Sequence, residues 1–291
     1  QLLFVGAILI AIGTLVWLLP RLNSLTRRWR QQHAPHNHGL FACTDGIPEN
    51  QFMTLLVGTA GLLSFIFITL YLPWLTDLNS WVNAAFTQLR QPGIDWLFTA
   101  FTLLADNRAL LTLGGIVALW LLLRREWRGL SFVLVASAIC LSLPLLLQTL
   151  FALPGPQPVF TMRDEAAFPS DHAFSVTVLW GLFYVLMTRD YWPGLKPWAL
   201  AVSLSLIIFT AISRAFLGVH WLSDVIAGVT LGVVVVAGLR WAWYRGAGFS
   251  RVKYWEPTLV ILLALVISGF LWLRQSWASA LTPYTVLGLG N

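Results

Sequence analysis

The sequence predicts an all-α integral membrane protein, and three observations carry that prediction. Hydrophobic residues make up 58% of the chain and charged residues only 10%, against about 45–50% and about 25% in an ordinary soluble domain. Mean hydropathy is +0.75. The apolar residues gather into separate runs near the ~20 residues that a helix needs to cross a bilayer. A chain of 291 residues with so few polar groups cannot cover a water-soluble globule. A soluble enzyme, a secreted disulfide scaffold and a disordered chain are thereby excluded.

The spans follow in order. Apolar runs predict helices at 2–20, 52–73, 107–123, 129–153, 171–188, 196–213, 219–240 and 257–274. The run 2–20 has no charged segment before it, so it reads as a lone transmembrane helix and not as a signal peptide. It is expected to be the remnant of an upstream membrane domain. Residues 21–51 form a polar linker, in which His33, His36 and His38 read as solvated residues because no carboxylate or cysteine stands at ligand spacing. The block 52–245 holds the remaining helices, and 246–291 adds a C-terminal span and tail. Cys43 and Cys140 lie in unlike surroundings and do not read as a pair.

Between the second and third spans the pattern changes. Leu78, Val82, Phe86 and Leu89 recur at helical spacing, with Asn79, Asn83, Gln88 and Arg90 among them. This predicts an amphipathic helix lying in the membrane interface, ended by Pro92-Gly93. The apolar stretch 94–105 is too short to span alone, and Asp106, Asn107 and Arg108 break it from the next run.

Charge gives the orientation. Most of the 18 basic residues fall in loops of one side: Arg21, Arg27, Arg28 and Arg30; Arg124, Arg125 and Arg128; Arg189 and Lys196; Arg240, Arg245, Arg251 and Lys253. The positive-inside rule places that side in the cytoplasm. The net charge of +6 therefore reflects membrane topology, and no nucleic-acid motif is present. Loops 74–106, 154–170 and 214–218 then face outward, or into the periplasm of a Gram-negative bacterium.

Two polar clusters fall on that outer side, where each polar group is expensive beside a span. The first is Phe168-Pro169-Ser170-Asp171-His172. Pro169 suits a turn into a helix and Ser170 an N-cap, and the free N–H groups of such an end attract anions. The second runs from Ser213-Arg214 to His220 and Asp224. Four residues apart, His220 and Asp224 would share a helix face, so Asp224 would fix the imidazole tautomer and leave the other nitrogen free to attack. The Arg214 fork suits phosphate oxygens. Together the residues point to phosphoryl transfer through a phosphohistidine, with one histidine as nucleophile and the other protonating the leaving oxygen. No metal or other cofactor is expected, because the scattered carboxylates show no two-metal pattern.

At these residues the chain resembles the phosphatidic acid phosphatase type 2 family of membrane lipid phosphatases. Pro169-Ser170-Asp171-His172 is similar to its Pro-Ser-Gly-His motif, with Asp171 in place of Gly. Ser213-Arg214, His220 and Asp224 match its third motif in full. The resemblance, over about 50–245, implies a six-helix bundle with one extra span at each end. It implies His220 as nucleophile, Asp224 as its orienting group, His172 as acid, and Ser170 and Arg214 as phosphate ligands. Ser213 and Asp171 join that phosphate-binding set by position. The first motif departs: Gln148 stands where the family has Lys, and Gly155 where it has Arg, while Pro156 is kept. Gln148 joins the expected phosphate site, and Arg163 or Arg108 is expected to substitute for the missing cations. Asp171 either tunes His172 or caps its helix, and the sequence leaves both open.

Three functions remain in view. The first is a phosphatase of the bacterial inner membrane with an outward-facing site, acting on a lipid (pyro)phosphate, undecaprenyl pyrophosphate first. Phosphatidic acid and phosphatidylglycerol phosphate fit the same residues. The second is transfer of the phosphate to a lipid acceptor. Asn107-Arg108-Ala109 and Asp171 resemble the lipid A phosphotransferase branch in this respect. The third is a non-catalytic lipid-binding or transport partner. The extra first helix and linker resemble proteins in which such a block follows a DedA-type membrane domain. The expected partners are thus a membrane lipid and the bilayer.

Overall fold

The computed structural model describes residues 51–103, 107–156, 166–189 and 196–244, with Val260 and Leu263 beyond them. The expected span 2–20, the linker up to residue 50, Arg163 and the rest of span 257–274 lie outside the described residues.

The elements among the described residues are helices. Helix α1 is Gln51–Tyr71, followed by a 3-10 turn Leu72–Leu75. Helix α2 is Thr76–Gln88 and α3 is Pro92–Leu103. Then come α4 (Asn107–Leu123), α5 (Trp127–Phe151), α6 (Asp171–Arg189), α7 (Lys196–Phe216) and α8 (Leu222–Tyr244). The stops are local. Pro73 falls in the 3-10 turn after α1, and Pro92 opens α3, where its missing N–H costs nothing. Ala152 adopts a left-handed conformation, φ 46°, and closes α5 with its N–H on the Gln148 carbonyl. Gly218, φ 71°, turns the chain between α7 and α8.

Among the described residues, four stretches are long and apolar enough to cross a membrane: one within Thr54–Gln88, then Trp127–Phe151, Pro197–Phe216 and Leu222–Trp243. The expected spans 107–123 and 171–188 are helices at those places but fall short of that measure. The apolar part of α4 is Leu110–Leu123. Helix α6 carries Asp171, His172 and Arg189 at its ends and buries Ser175 and Thr177 in the bundle. The leucines exposed on α1 and α5, such as Leu63, Leu70, Leu145 and Leu146, are what a bilayer-facing surface requires.

Glycines set the depth of the packing around α8. On α8, a Cβ at Gly228 would lie 2.5 Å from the Ser170 carbonyl oxygen, and one at Gly232 would lie 2.7 Å from Thr177. The pair is a small-xxx-small face that lets α6 lie against α8 backbone to backbone. On the other side Gly58 of α1 meets Ala237, and Gly61 meets the Thr230 carbonyl. Helix α7 completes the group by packing on α6.

The expected amphipathic helix forms. Trp74, just before it, is 80% exposed, and Trp81 also points outward, as aromatic anchors at a membrane interface do. The opposite face of α2 buries Asn79 and Phe86. Phe86 packs on Phe216 at the end of α7, with ring centroids 5.6 Å apart, and Phe98 of α3 stacks on the same ring at 4.2 Å. Helix α2 is thereby held against the α7–α8 turn.

Candidate active site

The two polar clusters meet at one end of the α6–α7–α8 group. Ser170 caps α6 from a fully buried position: its Oγ faces the Ala173 N–H at 3.5 Å, its carbonyl accepts the Phe174 N–H, and its own N–H donates to the Asp224 carbonyl at 3.0 Å. This last bond ties the start of α6 to α8. Arg214 lies in the last turn of α7, and its carbonyl accepts the N–H groups of Val219 and His220. The turn that presents His220 is therefore folded back on Arg214.

His220 is 7% exposed. Its Nδ1 lies 3.0 Å from the carbonyl oxygen of Ala167. A carbonyl only accepts, so Nδ1 carries the proton and Nε2 keeps its lone pair. Burial, and then the neighbouring Arg214 guanidinium, push the His220 pKa down to about 3 against the opposing pull of Asp171. The imidazole is neutral at physiological pH, the state a nucleophile needs.

The expected Asp224–His220 contact is not the one that forms. His220 lies in the turn before α8 begins at Leu222, so helical spacing does not bring it onto the Asp224 face. Asp224 reaches back to the Trp221 N–H at 2.9 Å and faces the Ser223 hydroxyl at 3.4 Å. It acts as one half of a capping box at the start of α8. Ala167 takes the orienting place on the ring.

Asp171 stands between the histidines. Its Oδ1 accepts the backbone N–H of His172 at 2.8 Å and lies 2.9 Å from the ring Nδ1 of the same residue. The same oxygen is 3.8 Å from His220 Nε2. A carboxylate has no hydrogen to offer a phosphate, and this one already occupies the anion-seeking end of α6. The expectation that Asp171 binds phosphate gives way to an Asp171–His172 pair.

The other expected phosphate ligands separate. Arg214 is 6% exposed, and its Nε finds no hydrogen-bond partner among the described residues. Ser213 donates to the Thr210 carbonyl within α7 at 2.6 Å, and its Oγ lies 2.6 Å from the Thr102 hydroxyl, a contact that ties α7 to α3. Gln148 donates its side-chain N–H to the Pro169 carbonyl at 3.1 Å, so it supports the start of α6. Gly155, at the family's Arg position, has little room for a side chain: a Cβ there would meet Ala167 and the Val219 carbonyl at 3.2 Å. Arg108 lies in α4.

Comparison with known proteins gives one consistent likeness. Residues 148–247 match the PAP2 superfamily. A stretch of 157 residues is 23% identical to phosphatidylglycerophosphatase B of Bacillus subtilis (strain 168), covering 53% of this chain and 77% of that protein. The crystal structure of the first transmembrane PAP2 type phosphatidylglycerolphosphate phosphatase from Bacillus subtilis superposes with a TM-score of 0.57 at 22% identity. It covers 65% of this chain and 98% of that one, and at this identity the likeness is one of fold. The chain is similar to membrane phosphatases of the PAP2 type.

Sequence reasoning passed over two parts of this site. Ala167 acts through its main chain, which leaves no side-chain signal. Asn79 lies on the interfacial helix, 144 residues away in sequence from the residue it holds. Its Nδ2 donates to Ser223 Oγ at 2.8 Å, and its Oδ1 accepts the Ser223 N–H at 3.1 Å. A polar residue on the buried side of an amphipathic helix was the signal available.

Proposed function

We propose that this protein removes the terminal phosphate of a membrane lipid phosphate or pyrophosphate by way of a phosphohistidine. The observation that carries the reading is Arg214, a buried guanidinium whose Nε–H has no partner among the described residues, in the residue cluster of a neutral His220. A buried donor without a partner is costly, and a phosphate oxygen satisfies it with a charge-assisted bond. His220 Nε2 attacks phosphorus as the bond to the leaving oxygen breaks. His172 delivers a proton to that oxygen. In the second step His172 takes a proton from water, whose oxygen attacks the phosphohistidine, releases inorganic phosphate and restores His220. No metal enters either step.

A polar site beside apolar helices suits a substrate with a phosphate head and a hydrocarbon tail. A cavity of about 130 Å³ between α4, α5 and α6 is lined by Leu113, Ala136, Cys140, Val178 and Leu182. Ser175 opens the same wall one turn along α6 from His172. The proposed substrate is undecaprenyl pyrophosphate, hydrolysed at the outer face of a bacterial inner membrane, in line with the positive-inside charge pattern. Phosphatidylglycerol phosphate is the second reading, favoured by the named activity of the Bacillus subtilis relative.

The test is phosphate release in detergent with EDTA present, from each lipid separately, comparing wild type with His220→Ala. Release by wild type that the variant abolishes is the expected result. Release retained by the variant, or suppressed in wild type by EDTA, overturns the mechanism. The ratio of rates on the two lipids decides the substrate. Release only when a lipid acceptor is added turns the reading to phosphotransfer, and binding without turnover turns it to a non-catalytic partner.

A further inference from the structure

We propose that Asp171 is a positioning residue that holds His172 in one tautomer and one orientation for proton transfer. The inference rests on the reading of His172 as the acid, and it deepens that reading by assigning a role at the position where this chain departs from the Pro-Ser-Gly-His pattern.

The geometry is specific. One oxygen, Asp171 Oδ1, accepts two hydrogens from the same neighbour: the backbone N–H of His172 at 2.8 Å and the ring Nδ1–H at 2.9 Å. The first bond locks the carboxylate to the main chain of α6. The second locks the ring to the carboxylate. With Nδ1 committed as donor, Nε2 is the ring atom left to exchange a proton: the imidazolium gives its Nε2 proton to the leaving oxygen, and the neutral Nδ1–H ring that results takes one back from water. A glycine cannot do this, because the second bond needs a side-chain acceptor. Asp171 and His172 are both partly open, with side chains 27% and 15% exposed, while His220 is buried. An untethered His172 at this more open edge would sample other rotamers and both tautomers.

A plain helix cap would explain the bond to the backbone N–H, but not the bond to the ring. Nor does the carboxylate serve as a phosphate ligand. It lies 3.8 Å from His220 Nε2, where it repels an incoming phosphate. Arg214 of α7 and His220 of the α7–α8 turn are the charged or titratable groups that face it. The carboxylate of Asp224 on α8 is turned to Trp221 and Ser223. Asp171 therefore weakens substrate binding while it orders the acid, and the two effects separate in kinetics.

Three variants make the test: Asp171→Asn, Asp171→Gly and Asp171→Ala, each assayed as full-length protein that elutes like wild type. The backbone N–H of His172 selects the oxygen of an asparagine amide, so Asp171→Asn keeps an acceptor facing Nδ1. Its kcat is expected within about threefold of wild type, with a lower KM because the charge facing phosphate is gone. Asp171→Gly and Asp171→Ala lose the tether, and kcat falls about tenfold or more with no rise in KM, a loss typical of removing an outer-shell orienting partner. The 15N spectrum of histidine-labelled protein reads the tautomer without turnover. The Nδ1–H form of His172 is expected in wild type and Asp171→Asn, and a mixture in Asp171→Gly. Undiminished kcat in Asp171→Gly, an Asp171→Asn as slow as Asp171→Gly, or the same His172 tautomer in all variants would overturn the proposal. A His220→Ala protein that is inactive while Asp171→Gly is unimpaired would leave the phosphatase reading standing and remove this one.

Discussion

The carbonyl oxygen of Ala167 stands 3.0 Å from His220 Nδ1, so a main-chain group selects the tautomer of the residue proposed as nucleophile. Ala167 reaches that place because its N–H donates to the Leu153 carbonyl at 2.7 Å, beside an antiparallel bridge between Pro154 and Ala166. The chain leaving α5 thus supports the chain entering α6. Trp221 joins the same loop, its indole N–H on the Pro154 carbonyl at 3.2 Å.

Neutral burial of His220 makes stability depend on pH with a definite sign. Its pKa is lowered in the folded protein from 6.5 to about 3. Below pH 6.5 the unfolded chain takes up a proton that the folded chain refuses, so stability is full above 6.5 and falls as pH drops toward 3. The loss is on the order of a few kcal/mol at pH 4. Thermal melts of wild type and His220→Gln between pH 4 and 8 check this: the slope below pH 6.5 is expected to shrink in the variant.

Arg214→Gln removes the buried charge that faces the cluster. If Arg214 holds the transferred phosphate, kcat/KM falls about a hundredfold or more, the usual cost of a lost charge-assisted contact to a transition state. Arg214→Lys keeps the charge but not the planar fork and is expected to recover only part of the activity. Initial rates on one lipid substrate, at protein levels matched by gel filtration, give the comparison.

Asn79→Ala strips two hydrogen bonds from Ser223 and leaves its N–H buried without its partner. Removing one side of a buried pair costs about 1–3 kcal/mol, so the melting temperature falls. Activity is expected to fall as well, because Ser223 and Asp224 form the first turn of α8 next to His220. A variant that melts lower but turns over at the wild-type rate would confine Asn79 to stability.

Gly228→Ala places a methyl 2.5 Å from the Ser170 carbonyl, so α6 and α8 must part. Overpacking of this kind costs about 1–3 kcal/mol and displaces His172 relative to His220. Nothing lies within 4 Å of a Cβ at Gly238, so Gly238→Ala on the same helix is the control. It is expected to leave activity unchanged and to hold or raise the melting temperature.

Restoring the family's first motif is expected to work at one position and fail at the other. Gln148→Lys keeps a donor for the Pro169 carbonyl and adds a cation. Gly155→Arg must force Ala167 or Val219 aside, and Ala167 orients His220. Phosphate release is expected to survive the first substitution and to drop with the second.

Membrane architecture was legible in the sequence because bilayer crossing depends on hydropathy summed over a window, a property of neighbours along the chain. The amphipathic helix and the Ser170 cap were legible because each rests on residues within about one helical turn. What the tertiary structure decided lies between segments far apart in sequence. It placed Ala167, and not Asp224, on the His220 ring, because α8 starts after His220 and the helical period does not extend into the turn. It committed Ser213 to Thr102, tied Asn79 to Ser223, and left Gly155 little space for the cation that the resembling family carries there. It set Asp171 against both histidines, a meeting that requires α6 and α8 to close on Gly228. Local periodicity determines which residues face one side of a helix, but only the packing of helices determines which polar atoms meet.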